Sequence, residues 1–303
     1  PNDWPRMLLH RGSVCDELTL WEDALEDDLR VEAAIAEGTR GLRLPHWTNR
    51  GKEGSDARSV MDFLRENTAS ERGLWWQTSR WRSDEGEDLD HISLLGWLAN
   101  GLLYADREGG ELSAFRIPGG SSSLMRAMLD GVGEEPSYHR VLVRVERDGF
   151  GVRLGFEDGG VERVDRVVLT LPPSALERVV FDPPLSGPKR CAVEGMGMGR
   201  AVKIAWTFSR AWWLDRNWGG SLQCDLPFQQ TWDSTLGEVP VLQAYVCGEE
   251  SVRFSRSPDP VGESLAMLAD VFPEARETFV RGRFHDWPGD PYAGGAFSYL
   301  PCG

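Results

Sequence analysis

Apolar residues recur at helical intervals through the first third of the chain and at alternate positions through much of the remainder. Residues 18–37, LTLWEDALEDDLRVEAAIAE, set apolar against acidic side chains and predict a helix; residues 59–66 and 91–103 repeat the pattern more briefly. RIPGGSSSLMRAMLDGV predicts a further helix through Leu124, Met125, Met128 and Leu129, opened by Gly119-Gly120 and capped from Ser121 to Ser123. The middle of the chain is strand-like: YHRVLVRVERD, FGVRLGFED and RVDRVVLTLPP are β-branched runs divided by Asp-Gly turns, and they predict a meander. Val167 to Leu171 is apolar on both faces, which predicts a strand buried in a mixed or parallel sheet, stopped by Pro172-Pro173. Helices are expected from Ser174, after DPPLSGPKR and over residues 260–272, with strands near Thr231 and Val241.

AVKIAWTF, residues 201–208, departs from this ordinary pattern. Val202, Ile204, Trp206 and Phe208 form one bulky face; Ala201, Lys203, Ala205 and Thr207 form the other. A lone long cation among small neighbours suits a strand lining a cavity. On the strand alone, the simpler expectation is an edge lysine whose head reaches solvent along its own stem.

Composition narrows the classes. The 303 residues are 41% hydrophobic and 27% charged, enough for two domains or one large one, and no apolar run approaches the ~20 residues of a membrane span. A net charge of −15 argues against nucleic acid or an anionic membrane as partner and fits a cationic substrate. Five cysteines, odd in number and never in a Cys-x-x-Cys pair, read as reduced thiols of a cytoplasmic protein. The five histidines are scattered singly, so no metal site is expected. Gly195-Met-Gly-Met-Gly199 precedes a strand and lacks the G-x-G-x-x-G spacing, so it is not read as a dinucleotide turn. The chain opens on Pro1 without an initiator methionine, from which a trimmed or processed polypeptide is expected.

Three blocks, in order, carry a resemblance to a known family. They are RIPGGSSSLMRAML, VDRVVLTLPPSALERVVFDPPLSGPKRCAVEGMGMGRAVKIAWTFSRAWW and HDWPGDPYAGGAFSYLPCG. Together, across roughly residues 112–303, they resemble the flavin-dependent amine oxidases, a family of monoamine, polyamine and L-amino-acid oxidases and lysine-specific histone demethylases. The first hundred residues match only in helical character. The resemblance implies an α/β (α+β) fold with a helical and mixed-sheet substrate domain and an incomplete FAD-binding domain. Residues 1–133 would be the mostly helical part of the substrate domain. Residues 134–190 would carry the meander and strand of the FAD-binding domain, 191–284 the mixed-sheet substrate domain and 285–303 the return toward the flavin.

It further implies FAD as cofactor and hydride transfer from the amine-bearing carbon, with re-oxidation by oxygen. Lys203 would be the catalytic lysine and Phe297 an aromatic wall for the substrate, standing where many members have a tyrosine. Trp287, Leu142, Gly119 and Gly120 would contact the cofactor. The substrate would be a small amine or amino acid; Arg80, Arg82 and Arg116 are candidates for a carboxylate. Because the family's N-terminal Gly-rich turn and C-terminal flavin segment are not within these residues, the chain alone is expected to be incompetent, its missing parts supplied by companion chains. The alternative expectation is a flavin-free relative acting as a binding module.

Overall fold

The alternation along AVKIAWTF is realised in an interior strand, and that strand organises the molecule. The structure, a computed structural model, describes residues 4–45, 48, 49, 51–105 and 117–303. A short ribbon, β1 (Met7–His10) and β2 (Ser13–Asp16), opens the chain. Five helices follow: α1 (Glu22–Thr39), α2 (Glu53–Asp56), α3 (Val60–Asn67), α4 (Glu71–Glu85) and α5 (Leu94–Ala105). Next come α6 (Ser121–Asp130), β3 (Leu142–Asp148), β4 (Gly151–Phe156), β5 (Val161–Val164), α7 (Pro173–Leu176), β6 (Val180–Asp182) and α8 (Gly187–Gly195). The last third contains β7 (Gly197–Met198), β8 (Ala201–Phe208), α9 (Trp212–Asp215), β9 (Leu222–Cys224), β10 (Gln230–Asp233) and β11 (Val241–Cys247). It ends with α10 (Glu249–Arg256), α11 (Pro260–Val271), α12 (Glu274–Thr278), β12 (Phe279–Asp286) and β13 (Ser298–Tyr299).

Seven strands form the main sheet, in the order β12-β8-β11-β10-β9-β1-β2. All neighbours are antiparallel except β1 and β9, which run parallel with Met7 opposite Leu222. β8 lies between β12 and β11, so the expectation of an edge lysine is corrected. The register places Lys203 between Tyr245 and His285. The opposite face is packed as the alternation predicts. Val202, Ile204 and Trp206 are fully buried, and with Phe208 they join Trp212, Trp213, Phe228 and Phe254 in the largest apolar cluster. Burying aromatic rings of this size contributes about 1.5–3 kcal/mol each, which is why this face and not the lysine face anchors the sheet.

The helical part has its own core, in which Val31 of α1, Phe63 and Leu64 of α3 and Trp97 and Leu98 of α5 meet. The buried Asp27 carboxylate of α1 accepts hydrogen bonds from the Ala69 and Ser70 amides and the Ser70 hydroxyl, each at 2.7–2.8 Å. Ser70 in turn caps α4 by accepting from the Gly73 amide at 2.8 Å. Gly73 is required there, because a Cβ would stand 2.1 Å from Asp27 Oδ2.

The first third opens with the β1–β2 ribbon, which extends the main sheet, before its five helices. A second expectation is corrected: residues 167–171 form no strand. They run past the small sheet β5-β4-β3-β6, with Val167, Leu169 and Leu171 packed on Val145, Val152 and Val179, while Val168 is 86% exposed. A sequence apolar on both faces needs a neighbour on each side, and among the described residues no strand pairs with this one.

Candidate active site

Lys203 projects from the middle of β8 onto the face vacated by Ala201 and Ala205. Its Nζ stands 5.2 Å from the ring centre of Trp232 on β10 and 5.4 Å from that of Tyr245 on β11. These are cation–π distances, so two aromatic rings support the ammonium from the sheet side. Across β12 its partner is His285, and the ring of Trp287, two residues on, sits 4.0 Å from the His285 ring.

The C-terminal segment closes the other side. β13 pairs with β7, Gly199 donates its amide to Phe297 O and Ala296 donates to Gly199 O, both at 2.8 Å. This contact explains the glycine run that precedes β8. A Cβ on Gly197 would lie 2.3 Å from the Tyr299 ring, and one on Gly199 would lie 2.9 Å from Gly86 O. Gly86, the left-handed C-cap of α4 at φ +69°, has the same role from the helical side. Its missing side chain leaves room for Phe297 Cζ, 2.7 Å from the Cβ position, and for Tyr245 Oη, 3.2 Å from it.

Directly before Gly86 is the residue that sequence reasoning missed. Glu85 borders a cavity of about 610 Å³ between α1, α4 and α5 and a second of about 240 Å³ that continues to Tyr299. Burial, aided by the neighbouring Asp84 charge, pushes its carboxyl up to about 7. The larger cavity is also bordered by Glu32, Asp84, Arg80, Trp81 and Trp97. Its one arginine is engaged, with Arg80 Nη1 at 3.1 Å from Glu32 and 3.4 Å from Asp28. Arg82 lies 3.8 Å from Asp88, and Arg116 is outside the described residues. The available signal was the acidic pair at the end of a tryptophan-rich segment, LWWQTSRWRSDE.

Of the six residues expected at the site, Lys203, Trp287 and Phe297 gather around the lysine face. Leu142 stands apart, in the wall of a cavity of about 730 Å³ shared with Val141, Val168 and Leu171. Gly119 and Gly120 open α6 at φ +79° and +81°, with open space where a Gly120 side chain would be. Among the described residues no cluster of three or more His, Cys, Asp or Glu is placed to hold a metal ion, and no helix is long and apolar enough to cross a membrane.

The family model described as "Flavin containing amine oxidoreductase" matches residues 3–303. The chain belongs to this family of flavin-containing amine oxidoreductases. The match reaches across the first hundred residues, beyond the stretch that the sequence motifs alone indicated. Among curated relatives of this chain, lysine-specific histone demethylase 1 homolog 3 of Arabidopsis thaliana is 26% identical over 342 residues, covering 96% of this chain and 20% of that protein. Homolog 2 from Oryza sativa subsp. japonica is 25% identical over 201 residues, covering 62% and 26%. The chain thus spans about a quarter or less of these relatives.

Among solved structures, cyclohexylamine oxidase from Brevibacterium oxydans IH-35A superposes with a TM-score of 0.81 at 20% identity, covering 99% of this chain and 70% of that one. Wild-type putrescine oxidase bound to putrescine gives 0.83 at 16%, covering 99% and 71%. The fold is that of the flavin amine oxidases, helices and mixed sheets together. Leu142 opens on a cavity and Lys203 projects from a face cleared by alanines, so neither position is blocked to a cofactor.

Proposed function

We propose that this chain forms the substrate-binding part, and a portion of the flavin-binding part, of an FAD-dependent oxidase acting on an amine rather than an amino acid. The observation that carries the reading is Lys203, held over Trp232 and Tyr245 on an interior strand, with an acid-lined cavity that ends at Glu85, next to the Gly86 on which Tyr245 and Phe297 pack. Bound FAD would supply the acceptor for the hydride leaving the amine-bearing carbon and would return its electrons to oxygen. Leu142, Gly119, Gly120 and Trp287 would hold the cofactor, and polypeptide beyond these residues, in the same chain or a companion, would complete its site.

The protein's own groups would do the rest. Phe297 gives the substrate an aromatic wall, and the Lys203 ammonium offers an oriented donor and positive charge where negative charge develops. The cavity selects the substrate. It brings Glu32, Asp84 and Glu85 together with Arg80, which is already paired, so it attracts a second cationic group and, among the described residues, offers no free guanidinium to a carboxylate. A diamine such as the putrescine named in the related structure meets both requirements. No observation among the described residues favours the flavin-free binding module.

The test is the visible spectrum of the full-length protein carrying these residues. A flavin band that bleaches under nitrogen on addition of a diamine, and returns with air, is expected. Bleaching by L-amino acids and not by amines would overturn the choice of substrate, and absence of flavin from properly folded protein would overturn the oxidase reading.

A further inference from the structure

Tyr245 is buried at the site yet its hydroxyl is unused. The residue is 8% exposed, and beyond a weak interaction with the Cys247 thiol Oη has no nitrogen or oxygen partner among the described residues. Burial first, and then the nearby Cys247 thiol, hold its proton firmly, so the group is a neutral phenol. A buried hydroxyl without a partner is less favourable than the phenylalanine that would fill the same space, so the oxygen calls for an occupant. Its position says which. The ring flanks Lys203 Nζ, and Oη shares with Phe297 Cζ the space left by the missing Gly86 side chain. The Phe297 side chain has no polar atom. Of these two rings, only the one from β11 carries a hydroxyl.

We propose that the Tyr245 hydroxyl accepts a hydrogen bond from the substrate's reacting amine and positions it; the inference rests on the amine-oxidation reading above. An N–H given to Oη leaves the nitrogen lone pair free. As the adjacent C–H bond breaks and its electron pair leaves with the hydrogen as hydride to the bound FAD, the lone pair closes to C=N and both N–H bonds are kept. The nitrogen becomes an iminium, its N–H becomes a stronger donor, and the bond to Oη tightens. Tyr245 therefore contributes to binding and contributes more to the transition state.

The experiment uses the flavin-loaded full-length protein and tert-butylamine, which has no hydrogen on its amine-bearing carbon and binds without reacting. Tyr245→Phe is expected to leave the melting temperature unchanged or raised, to weaken tert-butylamine binding about tenfold by calorimetry, and to lower kcat/KM for a diamine about ten- to a hundredfold. Phe297→Tyr in that background returns a hydroxyl to the same space and is expected to recover binding. Unchanged tert-butylamine affinity and kcat/KM in a wild type that turns over amines would overturn this inference alone. A wild type that binds neither flavin nor amine would overturn the proposed function and this inference with it.

Discussion

Glu87 and Arg200 form a two-point ion pair, with Nε 2.8 Å from Oε2 and Nη2 2.6 Å from Oε1, that ties the loop after α4 to the residue preceding the lysine strand. Glu87 is 1% exposed. Burial pushes its carboxyl up, but the Arg200 hydrogen bonds and the Asp88 amide more than offset this and hold it below the usual carboxylate range. The pair fixes where Gly86 and Glu85 stand relative to β8.

Arg200→Met leaves that carboxylate buried without its partner and is expected to cost about 3 kcal/mol. Adding Glu87→Leu should recover a large part of the loss. Urea unfolding of the single and double variants checks this, and strictly additive losses would show that the pair is not a unit.

Gly86→Ala adds a methyl group at φ +69° and places it 2.7 Å from the Phe297 ring. About 1–2 kcal/mol of backbone strain is expected, and Phe297 must move. The stability loss should be accompanied by altered amine affinity; loss of stability with unchanged affinity would separate Phe297 from the substrate.

Glu85 gives a pH signature of defined sign. Its folded value of about 7 lies above the ordinary glutamate value of 4.5, so the folded state holds a proton that the unfolded state releases between them. Its contribution is fully present below about pH 4.5 and is lost as the pH rises through about 7, by up to about 3 kcal/mol. Glu85→Gln should flatten that slope in melting temperature. It should also remove the improvement in diamine KM that ionisation of Glu85 brings above neutral pH. A wild-type slope retained by the variant would assign the titration to Asp84, whose carboxyl is also raised, first by burial.

Lys203→Met keeps an unbranched stem between Trp232 and Tyr245 and should fold normally. Loss of the ammonium is expected to slow flavin re-oxidation by oxygen about a hundredfold, as removal of one placed donor does elsewhere. Stopped-flow re-oxidation of the reduced protein measures it, and an unchanged rate would remove Lys203 from that step.

The lysine strand was legible because alternation is a local property: four bulky residues on one face and small ones on the other appear in eight letters of sequence. α1, α3, α5 and α11 were legible for the same reason. α4 was not, since Trp75, Trp76 and Trp81 spread aromatic surface around the helix and blur its period. Glu85 could not be recognised without α4, because its role comes from the helices packed around it. The apolar run 167–171 was overread as a strand: composition shows what a segment could pair with, and the fold decides whether a partner is present. β1 was missed because four residues carry little pattern, and its partner is remote in sequence.

That remote pairing sets an order of events in assembly. β8, β10 and β11 lie within residues 201–247 and can zip together as neighbours, but β1 must wait for β9, with Met7 opposite Leu222. At translation rates of about 5–20 residues per second, the ribbon spends on the order of tens of seconds without its sheet. Its closure joins Met7 to Leu222 across more than two hundred residues, so the ribbon is the slow, non-local seam of the sheet and docks only once β9 has been made.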